Sequence, residues 1–98
     1  MNCYQLFSEW RDVRIWGDSL ADAVLRHGLR TPDKMEMRDD GQTRGMRVAE
    51  HGQEVVLSRV LAEGTAPYTR GNNKPIRLVF EDTKDRIHEI DALIVETI

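Results

Sequence analysis

The stretch Ile76-Arg77-Leu78-Val79-Phe80-Glu81-Asp82-Thr83-Lys84-Asp85-Arg86-Ile87-His88-Glu89-Ile90-Asp91-Ala92-Leu93-Ile94-Val95 decides the fold. Ile76, Leu78 and Phe80 alternate with Arg77, Val79 and Glu81, and Ile90, Ala92 and Ile94 alternate on the return, so two strands meet at a Thr83-Lys84-Asp85 turn. Leu93 and Val95 make the returning strand apolar on both parities, which places it inside a sheet and predicts cover on each side.

Working outward, residues 50–62 read two ways. Val56, Leu57, Val60 and Leu61 form a helical stripe, and Gly64 followed by Pro67 favours the helix, while a strand after a His51-Gly52 turn competes. Upstream, Met35 to Val48 alternates on both sides of Asp40-Gly41 and predicts a hairpin with Met35 opposite Met46 and a shared face for Met35, Met37, Met46 and Val48. Asp18-Ser19 before Leu20-Ala21-Asp22-Ala23-Val24-Leu25-Arg26-His27-Gly28 carries a helix start, an amphipathic face and a glycine stop. Tyr4, Leu6, Val13 and Ile15 suit two short strands around a loop at 8–12, which would put Trp10 at a loop tip unless the indole enters the core. The fold class is therefore α+β, a mainly antiparallel sheet of four to six strands carrying one or two helices, and 98 residues make one compact domain, 1–98.

Composition bounds the function. A net charge of −3 argues against a globally basic nucleic-acid binder, and one cysteine, Cys3, forms no intramolecular disulfide and no multi-cysteine zinc site. No apolar run approaches the roughly 20 residues that cross a bilayer, and a cytoplasmic protein is the expectation. His27, His51 and His88 lack ligand spacing, so no metal is assigned; there is no phosphate-binding glycine loop, and no cofactor or catalytic residue is assigned. Cys3 reads as a buried thiol rather than a nucleophile.

Charge is segregated. Between Glu63 and Glu81 there is no acid, while Arg70, Lys74 and Arg77 fall in that window, and six acids follow from Glu81 to Glu96. The expected function is a small acidic, non-enzymatic protein-binding module, of the class to which inhibitors, immunity proteins and anti-defence (anti-CRISPR-type) proteins belong. In it Glu81, Asp82, Asp85, Glu89 and Asp91 would steer the chain to a basic partner surface and Trp10 would supply the anchor. The alternative is nucleic-acid or anionic-ligand binding through the loop 68–77, with Tyr68 stacking and Arg70, Lys74 and Arg77 meeting the anion. Against both stands internal pairing of those cations with the acids of the last hairpin, each pair contributing roughly 0–1 kcal/mol. A free sheet edge would also allow a homodimer.

Overall fold

A computed structural model describes residues 1–7, 10, 13–39, 41 and 45–98. The elements in chain order are β1 (Asn2–Leu6), β2 (Arg14–Gly17), α1 (Leu20–His27), β3 (Leu29–Arg30), β4 (Lys34–Arg38), β5 (Met46–Glu50), β6 (Glu54–Val55), β7 (Leu57–Thr65), β8 (Ile76–Asp82) and β9 (Ile87–Thr97). The class is α+β: five strands form an antiparallel sheet in the order β2-β1-β9-β8-β7 with one helix packed on it, and β3-β6 and β4-β5 form two small ribbons.

The last hairpin forms as its alternation predicts. Leu78, Phe80 and Asp82 of β8 and Ile90 and Ala92 of β9 point into the core, where Leu6, Tyr4 and Ile15 join them from β1 and β2. β9 is the central strand, but the expected cover on both of its faces is not found. Ile90 and Ala92 are buried, whereas beyond the last pairing with β8, at Ile76 opposite Ala92, both Ile94 on their face and Val95 on the other are about half exposed.

Local signals set the helix ends. The Ser19 side chain accepts from Asp22 N at 3.0 Å, the Asp22 carboxylate accepts from Asp18 N at 2.8 Å, and Gly28 closes the C-terminus at φ 69°. Leu20, Ala23 and Val24 are buried against the sheet, and the helix reaches both edge strands. Gly17 of β2 lies so close that a Cβ there would sit 2.4 Å from Ala23 N, and Glu63 of β7 accepts from Ala21 N at 2.8 Å.

Three expectations are corrected. Residues 50–62 are not helical: β6 and β7 are strands, because β7 finds a full antiparallel partner in β8 from Leu57 opposite Asp82 to Thr65 opposite Ile76. Pairing across the sheet outweighs a helical stripe that has nothing to pack on, and Val60 and Leu61 stay exposed. The hairpin at 34–50 exists, but Met35 lies opposite Ala49 and Met37 opposite Arg47. Gly41 and Gly45 both take positive φ, so the connection is longer than a two-residue turn and the four apolar residues divide between the two faces. Asp40 itself falls outside the described residues. Trp10 does not project from a loop tip. It is 4 % exposed, donates its indole N–H to Arg30 O at 3.1 Å and meets His88 edge to face, while Ser8, Glu9, Arg11 and Asp12 lie outside the described residues.

Candidate functional site

The acids and cations singled out in the sequence come together, but largely by pairing with one another on the open face of the sheet. Arg77 of β8 stands beside Asp91 of β9, its register partner, and holds it with two hydrogen bonds, Nε to Oδ1 at 2.9 Å and Nη2 to Oδ2 at 3.1 Å. Glu89 adds a 3.3 Å contact to the same guanidinium. Tyr68 bends over from the loop to donate its hydroxyl to Asp91 at 2.6 Å, and the Arg77 guanidinium lies 5.8 Å from its ring centre. The Arg77 bonds hold the Asp91 carboxyl below its ordinary range against the opposing effect of burial, with the Tyr68 bond adding to them, and Asp91 in turn raises the Tyr68 hydroxyl above its ordinary value.

Arg70 is committed elsewhere. It pairs with Asn73 across a Gly71-Asn72 turn, where Gly71 takes φ 64°, and its guanidinium sits 4.3 Å over the Phe7 ring. Lys74 is exposed, and its side chain makes no hydrogen bond or ion pair among the described residues. Glu81 pairs with Arg59 at 3.1 Å on the same open face, and Asp85 is exposed in the turn at φ 61°.

Asp82 is not a surface acid. Its side chain is 1 % exposed and accepts from Lys84 N at 2.8 Å, Arg86 N at 2.9 Å, Arg86 Nε at 2.9 Å and His88 Nε2 at 2.8 Å. Burial pushes this carboxyl up, but the four bonds outweigh it and hold the group well below the usual carboxylate range. The expectation that Asp82 meets a partner is therefore corrected: alternation on β8 turns it inward, where it fastens the turn to the core. His88 is stacked on Phe80 with ring centres 5.3 Å apart, on the face opposite Glu89.

Sequence reasoning did not single out Arg86 or Gln53. Arg86 donates Nη1 to Gln53 Oε1 at 2.7 Å, which joins the last turn to the root of the β4-β5 ribbon. That ribbon stands off the body. Met35 and Met37 share a face with Arg47 and Ala49 and are 65 % and 62 % exposed, and Met46 on the other face is 53 % exposed.

Among the described residues no group of three His, Cys, Asp or Glu is placed to hold a metal ion, and Cys3 is buried. No helix there is long and apolar enough to cross a membrane. Comparison with protein-family models, with curated proteins and with solved structures finds no match to the chain.

Proposed function

We propose that this chain is a non-enzymatic protein-binding module of the cytoplasm whose contact element is the β4-β5 arm. The observation that carries the reading is the exposure of Met35, Met37 and Met46 on a ribbon that buries none of them. A two-stranded hairpin is marginal in water by itself, and large apolar side chains held off the core find their natural explanation in a partner. Methionine suits that task because its flexible thioether adapts to irregular grooves. The partner offers an apolar groove for the Met35 and Met37 face, set in a basic surroundings that the net charge of −3 favours. Inhibitors, immunity proteins and anti-defence proteins work in this way, by covering a surface of their target.

Of the acids first assigned to steering, Asp85 keeps that role and Glu89 shares it, since it remains exposed although it also touches Arg77, while the less exposed Glu81 and Asp91 are answered by Arg59 and Arg77. The same pairing argues against anion binding through loop 68–77, because Arg77 faces two carboxylates that repel a phosphate.

The test is capture of partners from host lysate on the tagged chain, with and without nuclease, beside a Met35→Ser, Met37→Ser variant. The double variant is expected to lose a nuclease-resistant protein partner and to keep its unfolding temperature. An Asp85→Lys, Glu89→Lys variant should associate on the order of tenfold more slowly at low salt. Undiminished capture by the methionine variant would remove the arm from the interface.

A further inference from the structure

At the root of the arm the β3-β4 connection, the β5-β6 connection and the last turn enclose a cavity of about 130 Å³, on whose wall stand Thr31, Lys34, Glu50, His51, Gln53 and Arg86. We propose that this cavity binds a small oxyanion, a single phosphate or carboxylate group. The inference is independent of the partner proposed for the arm.

The walls are stitched in place before any ligand arrives. Thr31 N donates to Gln53 O at 2.9 Å and Gln53 N returns to Thr31 Oγ1 at 2.8 Å; Gly52 N donates to Asp33 Oδ1. Gly52 passes so near that a Cβ would lie 1.8 Å from Thr31 O, which only glycine tolerates. Arg86 is fixed from below by buried Asp82 and from the side by Gln53.

What this frame presents is mostly donors. The side chains of Lys34 and His51 make no hydrogen bond or ion pair among the described residues, so their nitrogens are free to turn inward. Gln53 spends its oxygen on Arg86 and so keeps its amide N–H groups for another acceptor. Arg86, paired with Asp82 through Nε and with Gln53 through Nη1, adds a positive charge to the wall, and its buried Nη2 has no hydrogen-bond partner. Against these stands one acid of the lining, Glu50. A volume near four water molecules' share of the liquid is room enough for a phosphate or carboxylate headgroup.

Sodium phosphate, sodium acetate and sodium chloride are to be titrated at matched ionic strength and pH into the full chain labelled with ¹⁵N, following the Gln53 side-chain amide and the His51 ring. Saturable shifts are expected with phosphate or acetate and not with chloride, and the tighter of the two identifies the headgroup. Lys34→Ala should weaken binding about tenfold and Glu50→Gln should tighten it roughly threefold. Both variants should keep the parent's unfolding temperature in chloride, because neither side chain forms a hydrogen bond or ion pair among the described residues. Shifts that rise linearly in all three salts, or affinities that neither substitution changes, would overturn the proposal.

Discussion

Asp82 is the residue on which the last hairpin turns. One carboxylate, itself closed to solvent, accepts from two backbone N–H groups of the turn, from the Arg86 guanidinium and from His88. An amide has one acceptor oxygen and brings donors of its own, so Asp82→Asn leaves several of those partners unanswered. The unfolding temperature of Asp82→Asn is expected to fall on the order of 10 °C at neutral pH. Because the folded carboxyl titrates below its unfolded value of about 4, its stabilisation is complete above that pH and is lost as the pH falls further. Parent and variant should therefore converge in acid, and thermal unfolding between pH 7 and pH 2 checks it; a constant gap between them would contradict this role. Alternation alone places Asp82 with Leu78 and Phe80, so its burial was open to inference. Arg86, four residues on, was the available signal for what would satisfy it there.

Elements differ in how much of their stability is their own. α1 was legible because cap, dipole charges and stop lie within eleven consecutive residues, from Asp18 to Gly28. β7 was not, because its sequence suits a helix as well and only β8 alongside it decides the matter. Two register shifts, between Leu57 and Arg59 and between Val60 and Ala62, kink β7, and with Arg59 and Glu63 they blunt an edge that would otherwise invite a second strand. The β4-β5 arm lies at the opposite extreme, since none of its described side chains belongs to the buried core. Lys34 and Glu50 are register partners, so replacing residues 35–49 with an Asn-Gly turn should shorten the arm without straining its root. Thermal unfolding of that variant is expected within about 4 °C of the parent. A collapse of cooperative unfolding would mean that the arm is part of the folding unit.

The whole molecule is elongated. Its radius of gyration is 16.1 Å over extents of 54 × 31 × 23 Å, against about 13 Å for a compact chain of this length. Small-angle scattering on the free protein is expected to give a value near 16 Å, and one near 13 Å would place the arm folded back on the body. Composition and period-two alternation were enough for the class, the last hairpin, its central strand and the helix, because each of those rests on residues near in sequence or on which face is apolar. The segregation of acids and cations was equally plain. That they would cancel one another, Arg77 on Asp91 and Arg59 on Glu81, depended on strand register, and a shift of one residue turns every side chain to the other face. The burial of Trp10, the strand at 57–65, the free methionines and the cavity under the arm were decided only in three dimensions. Each depends on contacts between segments more than ten residues apart, or on the absence of a neighbour, and local sequence carries neither.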